Sequence, residues 1–124
     1  MAGAHYRLDN LVGIIDRNRL QITGPTEDVM GLEPLDEKWR AFGWEVVPVD
    51  GHDIAALDAA LNGIPASPGK PTLILANTVK GKGVSFAEGR KEWHHKVPSD
   101  AELEMALKEL SDELARLQKE GDEQ

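Results

Sequence analysis

LVGIIDRNRL, residues 11–20, is the stretch that decides the fold of this chain. Its apolar half, Leu11–Ile15, has the length and composition of a fully buried strand in a parallel sheet. Asp16 and Asn18 follow at once, and open α/β sheets bind their ligands at the carboxyl ends of such strands. The stretch therefore predicts a parallel strand that brings polar side chains to a ligand site.

Two further apolar runs of strand length, Trp44–Asp50 and Thr72–Thr78, follow along the chain. Helical patterns separate the three runs: one has apolar residues spaced by four and three before a glycine stop, and the other follows an acidic N-cap. The first pattern comprises Leu35, Trp39, Phe42 and Gly43, and the second comprises Asp53, Ile54, Leu57 and Leu61. This alternation predicts an α/β fold with a partial parallel sheet, β-α-β-α-β. Pro48 cannot donate a ladder hydrogen bond, which puts its run at a sheet edge or a bulge.

The C-terminal region reads as one amphipathic helix over residues 99–120, with 121–124 expected to fray. Ser99 and Glu102 have the spacing of a capping box. Leucines then recur at alternating steps of four and three, at positions Leu103, Leu107, Leu110, Leu114 and Leu117. Such a stripe more often packs on its own domain than on a partner, so we expect the helix to pack on a partial α/β domain formed by residues 1–98.

Composition excludes several classes of function. The net charge of −8 argues against a nucleic-acid partner or an anionic membrane surface. The absence of cysteine removes disulfide scaffolds, thiolate metal sites and cysteine nucleophiles. No apolar run reaches the length of a membrane span, and the N-terminus does not read as a signal peptide. We expect a soluble, cytoplasmic protein whose local basic stretch, residues 80–96, suits a small polyanion.

Three short motifs carry chemistry. Asn18 offers an amide oxygen and Leu20 a backbone carbonyl on one side of a turn, and a hard cation such as Mg²⁺ prefers oxygen ligands. Residues 80–83, KGKG, follow the third run, and such glycines let backbone N–H groups approach phosphate oxygens. His94 and His95 can move protons near neutral pH, but neighbours in an extended chain point apart, which disfavours a joint metal site. Taken singly, each motif is more typical of an ordinary turn or loop.

The order and spacing of the motifs are more specific than any one of them. NLVGIIDRNRLQI (10–22), GPT (24–26), VDGHD (49–53), TVKGKG (78–83) and WHHK (93–96) occur in this succession. The succession closely resembles transketolase, and above all the N-terminal, thiamine-diphosphate-binding subunit of transketolases that are encoded as two chains. The resemblance extends from His5 to about Leu110.

The resemblance implies a function. Transketolases use thiamine diphosphate and Mg²⁺ to move a two-carbon ketol unit between sugar phosphates, and the cofactor carries the carbanion chemistry. It also implies a partner, the C-terminal subunit that holds the aminopyrimidine, in a dimer of heterodimers.

By position, the resemblance makes Asn18, through its side chain, and Leu20, through its carbonyl, metal ligands that also bind the cofactor. Ile22 matches an apolar contact near the thiazolium ring, and Lys80 and Gly81 match the loop beside the cofactor. His94 matches the catalytic histidine that contacts the diphosphate and the substrate oxygens. Because His95 stands where the family has glycine, the functional histidine stays open between His94 and His95, with the register of Trp93 favouring His94.

The family's motif opens with Gly-Asp-Gly upstream of this asparagine, whereas only seventeen residues precede Asn18 and none reads Gly-Asp-Gly. We therefore expect the C-terminal portion of such a subunit, inactive without the upstream segment and the partner. The alternatives are a non-catalytic fragment or assembly module, and a related thiamine-diphosphate enzyme such as a deoxyxylulose-phosphate synthase or a dehydrogenase E1 component. Two segments, GPT (24–26) and Trp93-His94, argue against the related enzymes.

Overall fold

The computed structural model describes residues 1–122, which divide into two compact units. The first unit comprises Met1–Arg19 and Pro25–Thr78, and the second comprises Leu20–Gly24 and the chain from Val79 onwards. In chain order the elements are α1 (Ala2–His5), β1 (Val12–Arg17), β2 (Leu20–Gln21), β3 (Gly24–Pro25), α2 (Thr26–Val29), α3 (Leu35–Ala41), β4 (Glu45–Asp50), α4 (Ile54–Asn62), β5 (Thr72–Asn77), a 3₁₀ turn (Lys91–His94) and α5 (Asp100–Asp122).

The first unit is built on the predicted parallel sheet. Its strand order is β1-β5-β4, and both neighbours run parallel to β5, which confirms the α/β fold class. β2 and β3 form a separate two-stranded sheet. In the three-stranded sheet Arg17, Asn77 and Asp50 are register partners, so the three strands end level with one another. One edge of the sheet therefore carries the carboxyl ends of all three strands.

Burial explains the strand order. Every residue of β5 from Thr72 to Ala76 is buried, as expected of a strand covered on both faces. β1 and β4 lie at the two edges, so the expectation that β1 is fully buried is wrong: Ile14 keeps 60% of its surface exposed. In β4, Pro48 sits opposite Leu75 without any break in register. The edge position predicted for Pro48 is therefore correct, and no bulge is needed.

One buried cluster of the first unit lies on a single face of the sheet. Val46, Leu73 and Leu75 form its buried centre, against which four half-buried side chains pack: Ile15, Leu35, Trp39 and Trp44. The rings of Trp39 and Trp44 meet edge to face with centroids 5.0 Å apart, a favourable aromatic geometry.

The two helical faces predicted from sequence are only partly used. Phe42 is exposed because α3 ends at Ala41 and the left-handed Gly43 (φ +86°) turns the chain away. In α4 the Asp53 cap is confirmed by a 3.0 Å bond from the Ala56 N–H. On the apolar face of α4, Leu57 is half-buried, whereas Ile54 and Leu61 are exposed. The helix packs on the edge strand β4, so the sheet covers only part of this face.

α5 dominates the second unit. The predicted capping box is present: the Ser99 N–H donates to Glu102 Oε2 at 2.8 Å, and the Glu102 N–H donates to Ser99 Oγ at 3.4 Å. Farther along, Glu109 accepts hydrogen bonds from the backbone and the hydroxyl of Ser85. The helix extends through Gly121 to Asp122, where fraying was expected, and residues 123–124 lie outside the described part of the chain.

The leucines of the α5 stripe keep 47–57% of their surface exposed. The packing of α5 on a domain formed by residues 1–98 stays a prediction. Within residues 1–122, no helix combines the length and the apolar character needed to cross a bilayer.

The capping box predicts a specific pH dependence of stability. The Lys96 ammonium, 2.6 Å from Glu102, and the Ser99 donors lower the pKa of Glu102 to about 2. Because this pKa is depressed in the folded chain, the stability it contributes is present above about pH 4.5 and is lost as the pH falls towards 2. We expect Glu102→Gln to flatten the dependence of the urea midpoint on pH across this window. Glu104→Gln, two residues along the same helix, is the control, and parallel pH curves for wild type and Glu102→Gln would contradict the prediction.

Candidate functional site

Polar groups gather where the three parallel strands of the first unit end. The Thr78 hydroxyl donates to Asp16, and the Gly51 N–H donates to the Asn77 carbonyl at 2.7 Å. A Cβ on Gly51 would lie 2.5 Å from the Thr78 methyl group. The segments after β4 and β5 can therefore approach this closely only with glycine at position 51. The edge predicted to bind a ligand is thus a tightly bonded platform directly beside the turn that follows β1.

The turn after β1 carries the first predicted metal ligand, Asn18, which is half-buried and belongs to the first unit. Arg19 follows with φ +63°, a left-handed conformation that costs a residue with a Cβ about 1–2 kcal/mol. The Thr26 N–H donates to the Arg19 carbonyl at 3.0 Å and holds this conformation in place. A strained backbone held by its surroundings is typical of functional sites.

Arg17 is the residue that sequence reasoning overlooked. Its side chain is 5% exposed and hydrogen-bonds three side chains that follow the turn, those of Thr26, Glu27 and Glu33. The Leu35 N–H and the Arg17 guanidinium hold the pKa of Glu33 below its usual value. The alternation of β1 was the available signal, because Gly13, Ile15 and Arg17 share the less exposed side of the strand.

The loop after β5 belongs to the second unit and contains Lys80 and Gly81. The Gly89 N–H donates to the Lys80 carbonyl at 2.8 Å and closes the loop. Three of its glycines adopt left-handed conformations: Gly81 (φ +70°), Gly83 (φ +90°) and Gly89 (φ +69°). A Cβ on Gly81 would lie 2.8 Å from the Ala87 carbonyl oxygen, so only glycine fits there. Such a loop, with half-buried Lys80 at its start, suits a phosphate group.

WHHK (93–96) forms a compact corner in the same unit. The Trp93 indole N–H donates to the Phe86 carbonyl at 3.0 Å, and the Lys96 ammonium lies 4.2 Å from the centre of the Trp93 ring. His94 and His95 are both exposed, and their rings meet edge to face at 5.0 Å. The expectation that they point apart is wrong, because His94 ends a 3₁₀ turn and the chain is not extended there.

The predicted site residues fall into both units. Leu20, Ile22, Lys80, Gly81 and His94 belong to the second unit, and Asn18 belongs to the first. Leu20 is half-buried in β2, and Ile22 is 53% exposed. Within the second unit, Lys91 donates to the Thr23 carbonyl at 2.7 Å and so connects the 3₁₀ turn to the segment that carries Leu20 and Ile22.

Asn18 and Leu20 would offer a metal an amide oxygen and a carbonyl oxygen. Both are hard ligands suited to Mg²⁺. Across residues 1–122, no three His, Cys, Asp or Glu side chains are grouped so as to hold a metal ion. Asn18 and the Leu20 carbonyl are not imidazole, thiolate or carboxylate ligands. The absence of a His, Cys, Asp or Glu group from residues 1–122 therefore does not bear on them.

Two curated relatives are similar over most of the chain. One is a subunit of the apulose-4-phosphate transketolase of Phocaeicola vulgatus, 47% identical over 121 residues, which are 98% of this chain and 43% of that protein. The protein of the same name from Actinobacillus succinogenes is 51% identical over 113 residues, 91% of this chain and 41% of that protein. The chain therefore spans less than half the length of these relatives.

The solved structure of transketolase from Campylobacter jejuni aligns with 95% of this chain and 22% of its own, with a TM-score of 0.68 and 23% identity. At this identity the likeness shows the shared fold. Residues 1–114 match the family described as "Transketolase, thiamine diphosphate binding domain". Because that match covers most of the chain, this protein belongs to the family of transketolase thiamine-diphosphate-binding domains.

Proposed function

We propose that this chain is the thiamine-diphosphate-binding part of a two-chain transketolase, which transfers a two-carbon ketol unit from a ketose phosphate to an aldose phosphate. The observation that carries the proposal is the Lys80–Gly89 loop, where a left-handed Gly81 leaves no room for a Cβ beside the Ala87 carbonyl. Loops of this kind let backbone N–H groups reach phosphate oxygens. The similarity to proteins named as transketolase subunits supports the same function.

The cofactor's diphosphate would be held by Lys80 and Gly81, with point charge from the lysine and close backbone approach at the glycine. Asn18, through its side-chain oxygen, and Leu20, through its carbonyl, would be the Mg²⁺ ligands that this chain supplies, since Mg²⁺ prefers oxygen ligands. Ile22, half-exposed, would cover the thiazolium ring. When bound, thiamine diphosphate supplies the electron sink for breaking and forming the carbon–carbon bond.

His94 would contact the diphosphate and the reacting oxygens of the substrate. An exposed imidazole can hold or move a proton at a substrate hydroxyl near neutral pH. The Trp93 indole, bonded to the Phe86 carbonyl, fixes the backbone from which His94 extends. His95 contacts His94 and is the alternative for the same role.

A second subunit would complete the enzyme by holding the aminopyrimidine end of the cofactor, in a dimer of heterodimers. Both relatives are named as one subunit of their transketolase, which supports a partner of this kind. The substrates would be sugar phosphates, and apulose 4-phosphate, which appears in the names of those relatives, is the first to test.

The metal assignment is tested by calorimetric titration with thiamine diphosphate and Mg²⁺, using the chain alone and combined with a candidate C-terminal subunit. We expect Asn18→Ala to weaken magnesium-dependent binding about tenfold or more, because one oxygen ligand is lost. Asn62→Ala, which removes the same side chain from α4 in the same unit, should bind as wild type does. If neither preparation of the wild-type chain binds the cofactor, the proposed function is wrong for this chain.

The proposed binding of phosphate by the Lys80–Gly89 loop is tested by two matched alanine substitutions. Gly81 and Gly89 have nearly the same φ, so alanine imposes a similar backbone cost at each. At Gly81 the new methyl group also meets the Ala87 carbonyl, whereas Gly89 has nothing within 4 Å. We expect Gly81→Ala to weaken thiamine diphosphate binding about tenfold more than Gly89→Ala does, a difference of about 1.4 kcal/mol. Equal affinities for the two variants would remove Gly81 from the site.

The functional histidine is identified by His94→Gln and His95→Gln, assayed for ketol transfer in the assembled enzyme. Loss of a positioned proton-transfer group typically costs about 10²–10⁴ in rate. We expect a loss of this size in kcat for His94→Gln and a loss below about tenfold for His95→Gln, with the cofactor bound in both. The opposite pattern would move the role to His95 and show that Trp93 does not set the register.

A further inference from the structure

Arg17 is buried at the end of β1, directly before Asn18, and none of the roles proposed above uses it. A guanidinium stays charged at all physiological pH values, and a buried charge is tolerated only when it is paired. Its presence next to a proposed metal ligand, with only 5% of its surface exposed, therefore requires an explanation.

The side-chain hydrogen bonds of the Arg17 guanidinium go to the segment that follows the turn. Nη1 donates to Thr26 Oγ1 at 3.0 Å, and Nη2 donates to Glu27 Oε1 at 3.1 Å and to Glu33 Oε1 at 2.7 Å. Glu33 also accepts the Leu35 N–H at 3.0 Å, at the start of α3. The guanidinium thus connects the end of β1 to α2 and to the beginning of α3.

Thr26 connects this cluster to the turn itself. Its hydroxyl accepts from Arg17, and its N–H donates to the carbonyl of Arg19 at 3.0 Å. The left-handed Arg19 stands between Asn18 and Leu20 in the chain, so its φ sets the direction in which the chain continues from one proposed ligand to the other. Thr26 is itself buried, which keeps water from competing for these bonds.

We propose that Arg17 and Thr26 are positioning residues that lock the Asn18–Leu20 turn in the geometry Mg²⁺ requires. This inference rests on the proposed function, since it presumes the metal ligands named there. Neither residue touches the metal: Arg17 holds Thr26, and Thr26 holds the Arg19 carbonyl.

Metal selectivity separates this role from a general effect on stability. Mg²⁺ demands a nearly ideal octahedron with short bonds, whereas Ca²⁺ accepts longer bonds and irregular geometry. A loosened turn should therefore lose more affinity for Mg²⁺ than for Ca²⁺. Partial unfolding of the chain would lower both affinities by the same factor.

The experiment compares Arg17→Met with Arg40→Met, which removes an exposed arginine paired with Asp36 in the same unit. Thiamine diphosphate binding is titrated with Mg²⁺ and with Ca²⁺, using the chain combined with the candidate C-terminal subunit. We expect Arg17→Met to lose about ten- to hundredfold in Mg²⁺-supported affinity and distinctly less with Ca²⁺. Arg40→Met should leave both affinities unchanged.

Two more variants keep the test decisive if Arg17→Met fails to fold. Thr26→Val removes the hydroxyl at nearly constant shape and should lower the Mg²⁺ to Ca²⁺ preference in the same direction. Arg17→Lys keeps the positive charge but loses the planar, multidentate guanidinium. Its Mg²⁺ to Ca²⁺ preference should therefore lie between those of Arg17→Met and the wild type. Equal losses with the two metals in Thr26→Val would overturn the proposal.

If the wild-type chain binds no cofactor, the proposed function is refuted. The effect of Arg17 on the turn is then measured in the ligand-free chain. Hydrogen exchange of the Thr26 amide reports whether its bond to the Arg19 carbonyl persists. Faster exchange in Arg17→Met than in Arg40→Met would support a lock on the turn. Equal exchange in the two variants would overturn it.

Discussion

The pairing of β5 with parallel neighbours on both sides is the interaction on which the first unit depends. All five residues from Thr72 to Ala76 are buried, and burying one large aliphatic side chain stabilises a fold by about 1.5–3 kcal/mol. Because β1 and β4 share the register of β5, their carboxyl ends reach the same level. The polar platform of Asp16, Gly51 and Thr78 is a direct consequence of that shared register.

The sequence allowed the elements to be predicted where the signal is local. The three apolar runs became three parallel strands, and the caps at Asp53 and Ser99 formed as their spacing indicated, because a cap depends on residues within one helical turn. The exposure of Phe42, Ile54 and Leu61 could not be read in this way. Whether an apolar side chain is covered depends on how far its helix reaches over the sheet, which no spacing in the helix itself records.

In the candidate site, too, features with a local signal could be predicted and features that depend on distant residues could not. Gly81 and Gly83 of the loop after β5 were recognised from sequence, whereas Gly89, which is also left-handed, was not. Arg17 was overlooked because its partners lie 9 to 16 positions away in a segment with no regular pattern of its own. An arginine that reads as solvent-exposed in sequence is thus buried at the end of its strand, and its three partners determine how the chain leaves that strand.

The placement of the three tryptophans makes the two units optically distinct. The rings of Trp39 and Trp44 meet edge to face in the core of the first unit, and such a close pair should give a strong near-ultraviolet dichroism. Trp93 belongs to the second unit, where a cation, a phenyl ring and a carbonyl surround its indole. The Trp39–Trp44 pair therefore reports the folding of the sheet, while Trp93 reports the corner that carries the two histidines, and replacing Trp93 by phenylalanine separates the two signals.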